Sequence, residues 1–116
     1  MTTPTNFLSR KCVPCEGGTE PLMGEKLSFY TPVIPDWIVL DEIKIQRKFK
    51  FKNFKEALSF VNKVGELAES EGHHPDINLH NWNKVTITLS THAIKGLSEN
   101  DFIMAVKINQ LVSNNN

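Results

Sequence analysis

From Phe54 onward, apolar residues recur every three or four positions: Phe54, Ala57, Leu58, Val61, Val64, Leu67 and Ala68. That period places them along one side of an α-helix. Asn53, with Glu56 three residues later, supplies a capping-box-like start. Gly72 stands where a helix end favours a residue of positive φ. Before this helix the period is two. Ile43, Ile45, Phe49 and Phe51 alternate with Lys44, Gln46, Lys48 and Lys50, which predicts a strand buried on one face. Arg47 falls on the apolar phase, so it is expected near an end or an edge. The run from Trp37 to Leu40 predicts another strand just before it. After Gly72, Ile77 and Leu79 alternate with Asn78 and His80, and Val85, Ile87 and Leu89 alternate with Thr86, Thr88 and Ser90. These read as two strands joined around Asn81-Trp82-Asn83-Lys84.

The ends of the chain complete the pattern. Residues 1–18 look irregular, with Pro4, Pro14, Gly17 and Gly18. Thr19 is expected to cap a short helix with Pro21 in its first turn. Met23, Leu27 and Tyr30 would share a face of that helix, which Pro32 and Pro35 would end. Ser98 is expected to cap a last helix, with Asp101 near its positive end. Phe102, Ala105, Val106 and Leu111 give that helix an apolar stripe, and residues 113–116 read as a frayed tail. The order is helix, two strands, helix, two strands, helix. Short links between adjacent strands imply hairpins. The expectation is one α+β domain over residues 1–116, a four-stranded antiparallel sheet with three helices packed on one face.

Charge narrows the function. Thirteen basic residues balance thirteen acidic ones in 116 residues, so no net field favours nucleic acid or an anionic membrane. No apolar run approaches the ~20 residues of a spanning helix. No apolar signal core opens the chain, so the cytosol is the expected compartment, with an organelle left open. Cys12 and Cys15 are the two cysteines, and CVPC matches half a zinc site or a redox pair. Zinc wants four ligands, and there is neither a second Cys pair nor a nearby His. A redox pair should follow a strand, whereas this one precedes Gly17-Gly18. A structural or incidental role with reduced thiols is the reading favoured.

All four histidines, His73, His74, His80 and His92, fall between Glu69 and Asp101. His73 and His74 emerge just past a helix end, on backbone fixed by Gly72 and Pro75. A hairpin centred between Trp82 and Asn83 would put His92 beside His73 at its open end. Three imidazoles would then line one cleft. Imidazole exchanges protons near neutral pH, so such a cluster suits acid–base chemistry or ligand binding. Metal is the rival reading. Adjacent His-His on irregular backbone chelates poorly, and Glu69, Glu71, Asp76 and Asp101 are the only carboxylates placed to complete a site. The bland reading makes the His-His-Pro segment a polar loop. His80 falls on the polar phase and reads as a surface residue. Trp37 and Trp82 read as core or interface more than as ligand platforms. Asp101 is at least a helix N-terminal charge. Glu69 opposes the dipole of its own helix end, so its presence suggests another reason. The Lys44, Lys48, Lys50 and Lys52 run reads as a solvated strand face.

At these residues the sequence resembles the pterin-4a-carbinolamine dehydratase family. The pattern is Glu69, His73-His74-Pro75, Trp82, Thr91-His92, and Leu97-Ser98-Glu99-Asn100-Asp101. It extends upstream through Phe49 to Phe54 and Trp37, and covers roughly residues 12–111. CVPCEGG is similar to the opening of the longer plant, protist and bacterial members. Gly72 stands where short animal members carry Asp, and Trp82 where they often carry Tyr. The resemblance implies the same α+β fold. It implies loss of water from 4a-hydroxytetrahydropterin to give quinonoid dihydropterin, in recycling the cofactor of aromatic amino acid hydroxylases, with no metal or organic cofactor. On it, His73 is the first choice for the acid, His92 a second acid–base group, and His74 a pterin contact. Gly72, Pro75, Ser90 and Thr91 would complete the pocket, with Glu69, Asp101, Trp37 and Trp82 in support. A homodimer or homotetramer is implied. The alternative is an interaction module, as in members that dimerise a transcription factor or assist assembly of the carbon-fixing enzyme. Such a role would use an exposed face of Phe102, Val106 and Leu111.

Overall fold

The computed structural model describes residues 7–12 and 20–113. The elements follow in the order α1 (Gly24–Tyr30), β1 (Ile38–Leu40), β2 (Lys44–Lys50), α2 (Phe54–Glu71), β3 (Asp76–His80), β4 (Lys84–Leu89) and α3 (Glu99–Ser113), with short 3-10 turns at Thr31–Val33 and His92–Ile94. The four strands form one antiparallel sheet in the order β1-β2-β4-β3. This is the α+β architecture expected from the alternating periods. No helix among the described residues is long and apolar enough to cross a membrane.

The core lies on one face of the sheet. Ile45 and Phe49 of β2 and Val85, Ile87 and Leu89 of β4 point into it, and all five are buried. From α2 come Ala57, Phe60, Val64 and Ala68. Phe60 rests on Phe49 and Phe51, with ring centroids 4.8 and 4.9 Å apart. Burying a side chain of this size stabilises by about 1.5–3 kcal/mol. Phe54 and Leu58 share the helical period yet are exposed, because they flank the buried stripe rather than centre it. The start of α2 is as expected. Asn53 Oδ1 accepts the Glu56 N–H at 2.8 Å, and Glu56 Oε1 accepts the Lys52 N–H at 3.3 Å.

Four local expectations are corrected. First, α1 begins at Gly24, after Met23 rather than beside Pro21. The Leu22 N–H donates to Leu97 O at 2.8 Å, which holds that stretch out of a helix. Met23 is exposed and Leu27 alone of its stripe is fully buried, while Thr19 lies outside the described residues. Second, Arg47 sits in the middle of β2, an interior strand, opposite Ile87. Its guanidinium donates to Asn109 Oδ1 at 2.6 Å and stacks 4.5 Å from the Phe49 ring centre, so the charge is not left unpartnered. Third, α3 is buried on far more than one stripe. Every residue from Asn100 to Ala105 is buried, and Val106 and Leu111 are half-buried. Phe102 is therefore core and offers no docking face. Fourth, β3 and β4 pair Asp76 with Thr88 and His80 with Lys84, which centres the hairpin on Trp82 itself. Asn81 and Trp82 both take positive φ to make that turn, at 47° and 55°.

Candidate active site

The half-residue shift in the hairpin centre matters at its open end. The observed ladder ends at Asp76 and Thr88, so it does not pair His73 with His92. The local backbone explains how each side is delivered. Gly72 ends α2 in the left-handed region, with φ 68° and its N–H on Ala68 O at 2.9 Å. A Cβ there would be strained, so glycine makes the sharp exit that releases His73, His74 and Pro75 toward β3. On the other side, β4 runs out at Leu89 and the chain passes Ser90 into Thr91. Thr91 bridges Gly96, with the Thr91 N–H on Gly96 O at 2.7 Å. A Cβ on Gly96 would lie 2.8 Å from Pro21 Cβ, so the loop closes only with glycine. The loop carries His92 at the start of its 3-10 turn, exposed.

Asp101 joins the two sides. Its side chain is fully buried, three residues into α3 from Ser98. Oδ1 lies 2.7 Å from His73 Nε2. Oδ2 accepts the Thr91 hydroxyl at 2.8 Å and the Ser98 N–H at 2.9 Å. A buried carboxylate with three donors, at the positive end of a helix, has its charge offset on every side. Thr91 spends its one proton on Asp101. The Ser98 hydroxyl, 2.7 Å from Thr91 Oγ1, is therefore the donor in that second contact. Ser98 holds the cap position as expected, but its hydroxyl serves Thr91, and it is Asp101 that supplies the reciprocal half of a capping box.

This network fixes the chemistry of His73. A carboxylate only accepts, so His73 Nε2 carries a proton and the ring is oriented through that atom. The ring is largely buried, with 12% of the side chain exposed. With Nε2 taken, Nδ1 is the ring nitrogen left for any further partner. His74 differs. Its Nε2 meets Glu69 Oε2, and both side chains are exposed. That contact supplies the reason for a glutamate at an unfavourable helix position. No hydrogen bond holds the His92 ring among the described residues. His80 lies on the outer sheet face with its Nε2 3.0 Å from Thr86 Oγ1.

The two tryptophans lie elsewhere. Trp37 is buried, edge-on to Phe49 at 6.4 Å, with Nε1 donating to Asn109 Oδ1 at 2.8 Å. Trp82 is exposed at the closed end of the β3–β4 hairpin, the end opposite His73 and His74. Ser98 was not singled out as a site residue by the sequence. The Thr91, Ser98 and Asp101 spacing could have pointed to it, since an Asp at the third position of a helix reaches back to the cap. Of the cysteine pair, Cys15 lies outside the described residues. No group of three or more His, Cys, Asp or Glu that could hold a metal occurs among the described residues.

The family model for pterin 4 alpha carbinolamine dehydratase matches residues 20–111. The chain belongs to this family. Relatives in Rubrobacter xylanophilus and Alkaliphilus metalliredigens, provisionally named as pterin-4-alpha-carbinolamine dehydratases, are 51% identical over 107 residues and 50% over 106. The first alignment covers 92% of this chain and 99% of the relative, the second 90% and 95%. Among solved structures, a transcriptional coactivator/pterin dehydratase from Brucella melitensis superposes with a TM-score of 0.73 at 32% identity, covering 79% of this chain and 98% of that one. A pterin dehydratase-like protein described as a RuBisCO assembly factor in the alpha-carboxysome gives 0.58 at 23% identity, over 68% of this chain and 92% of its own, which speaks for a shared fold alone.

Proposed function

We propose that this protein dehydrates a pterin-4a-carbinolamine, with His73 as the general acid. The observation that carries the reading is the His73 ring, held by its Nε2 on buried Asp101 with Nδ1 left for proton transfer. The hydroxyl on C4a leaves slowly until it is protonated. A proton from Nδ1 of a charged His73 converts it to water, and the C4a–O bond breaks. The lone pair on N5 closes a C4a=N5 double bond, and the N5 proton is lost to a base. His92, exposed on the loop that follows β4, is the second acid–base group. His74 contacts the pterin, with Glu69 orienting its ring, and Gly72, Pro75, Ser90 and Thr91 form the walls. The product is quinonoid dihydropterin and water, and the substrate would come from an aromatic amino acid hydroxylase. Neither metal nor organic cofactor enters the scheme. A homodimer or homotetramer goes with it, since edge strand β3 leaves one row of backbone groups unpaired and Ile77 exposed.

The test is direct. Carbinolamine loss is followed with the purified wild type beside His73→Ala, with and without a chelator. His73→Ala should cost about 10²–10⁴-fold in turnover, the usual worth of general acid catalysis, and leave the fold intact. Chelation should change nothing. Equal turnover in the two proteins, or a wild type no faster than the spontaneous reaction, would sink the assignment.

A further inference from the structure

The last residue of α2 is a glutamate, at the negative end of the helix dipole, where a carboxylate is disfavoured. Glu71 is also nearly buried, with 5% of its side chain exposed. Both its oxygens are engaged. Lys107 of α3 places Nζ 2.6 Å from Oε2, and the backbone N–H of Cys12 donates to Oε1 at 2.9 Å. Burial alone would raise its carboxyl pKa. The Lys107 ammonium and the Cys12 amide outweigh that and leave it lowered. The pair is thus a charged, hydrogen-bonded link between the end of α2 and the middle of α3.

The short segment before the cysteines extends that link. Cys12 Sγ lies 3.6 Å from Asn100 O, at the start of α3. Burial, and next the Glu71 charge, push the thiol up to about 12, so it stays a donor rather than a thiolate. Arg10 pairs with Glu99, whose other oxygen accepts the Tyr30 hydroxyl at 3.0 Å. Phe7 is buried and stacks on Tyr30 at 6.0 Å. Residues 7–12 therefore tie Glu71, two residues before His73, to Glu99 and Asn100, the two residues before Asp101. The ends of α2 and α3 are the parts that must stay in register for His73 to meet Asp101.

We propose that Glu71, clamped between Lys107 and the Cys12 backbone, is a positioning residue that holds the Gly72–His73 turn against α3, so that the Phe7–Cys12 segment belongs to the frame of the site. The proposal rests on the reading of His73 as the acid, but its first readout does not. Hydrogen bonds are directional, and a displacement of about 1 Å in a catalytic group can cost about 10²-fold.

The experiment compares wild type, Glu71→Gln, Lys107→Met and Lys107→Arg as full-length proteins. Nitrogen-15 spectra of the ring report which His73 nitrogen carries the proton, and steady-state assays give kcat and KM for the carbinolamine. Wild type should show the Nε2–H form. Glu71→Gln and Lys107→Met should show a mixture of ring forms, a kcat about tenfold lower, and a KM within about twofold. Lys107→Arg, which keeps the charge and a donor, should restore both readouts. Glu71→Gln is close in shape to the parent and guards against loss of fold in Lys107→Met. Unchanged ring signals in folded Glu71→Gln and Lys107→Met would overturn the proposal. So would a fall in kcat that tracks only the unfolded fraction in a melt. The ring signal decides positioning even if His73→Ala shows that His73 is not the acid, so the two ideas fail separately.

Discussion

His73 and His74 are neighbours in sequence, and each sets its Nε2 against a carboxylate. The side chains of His73 and Asp101 are 12% and 0% exposed, whereas those of His74 and Glu69 are 60% and 78% exposed. One backbone turn thus carries two His–carboxylate pairs with opposite physical weight. An exposed pair contributes about 0–1 kcal/mol, because water competes for both partners and two mobile side chains must be ordered. The buried pair has no such competitor. Asp101 is further anchored by the Thr91 hydroxyl and the Ser98 N–H, so the ring it holds has one orientation. Contact with a carboxylate alone does not separate the two histidines; being fixed by a buried one does, and only His73 is.

The largest effect should come from altering the anchor while keeping its shape. In Asp101→Asn, the amide oxygen must replace Oδ2, which accepts from Thr91 and Ser98. The amide NH₂ then faces His73 and forces Nε2 to accept. The ring proton moves to Nδ1, the nitrogen that should exchange with substrate. We expect kcat to fall by about 10²–10³-fold, within the usual range for losing general acid catalysis. Stability should drop by about 1–3 kcal/mol from the lost charge-assisted bonds. Turnover, a denaturant melt and the ring nitrogen spectrum check this together. Wild-type turnover with the ring proton on Nδ1 would remove Asp101 from the mechanism.

A smaller effect is expected one bond further out. Thr91→Val keeps the volume and removes the hydroxyl that donates to Asp101 and accepts from Ser98. About 1–2 kcal/mol of stability should be lost, the scale of one or two buried hydrogen bonds. Because His73 and the Ser98 N–H still hold Asp101, kcat should fall only about two- to fivefold. A fall as deep as that of Asp101→Asn would mean that the Thr91 hydroxyl, and not Asp101 with the Ser98 N–H alone, keeps the His73 ring in place.

The sequence made most of the frame legible. The three-and-four spacing of Ala57, Val64 and Ala68 marked α2, and the alternation through Ile45 and Phe49 marked β2, because both elements bury one clean face. Gly72 at the helix end was readable for the same reason, since only one backbone conformation lets the chain leave there. Helix α3 was read too narrowly. Its stripe suggested one buried side, yet it lies between the sheet, α2 and the N-terminal segment, and tertiary packing overrides a helical period. Arg47 was misplaced because periodicity cannot show that Asn109, 62 residues away, will receive its guanidinium. At the site, the hairpin suggested a gathering of histidines, but not that Asp101, held by Thr91 and Ser98, would receive the His73 ring. Register depends on the turn, and Asn81 and Trp82 adopt positive φ where the sequence offers no glycine. The clamp around Glu71 escaped notice because it joins three stretches far apart in the chain.

The smallest effect is expected at Glu69, and acid separates it from Glu71 at the same helix end. Glu71 titrates below its ordinary value near 4.5 in the folded protein, so the folded state takes up that proton less readily than the unfolded one. Its contribution is complete above that value and is lost as the pH falls through the lowered one. Glu71→Gln should therefore flatten the acid side of the stability curve, read as urea midpoints from about pH 6 to about pH 3. Glu69→Gln removes a carboxylate that water already surrounds. It should leave the curve unchanged in shape, move stability by less than about 0.5 kcal/mol, and keep kcat within about twofold. If Glu69→Gln instead raises KM alone, Glu69 itself reaches the substrate beside His74. If it lowers kcat as far as Asp101→Asn does, exposure is no guide to which imidazole moves the proton, and the distinction between the neighbouring histidines collapses.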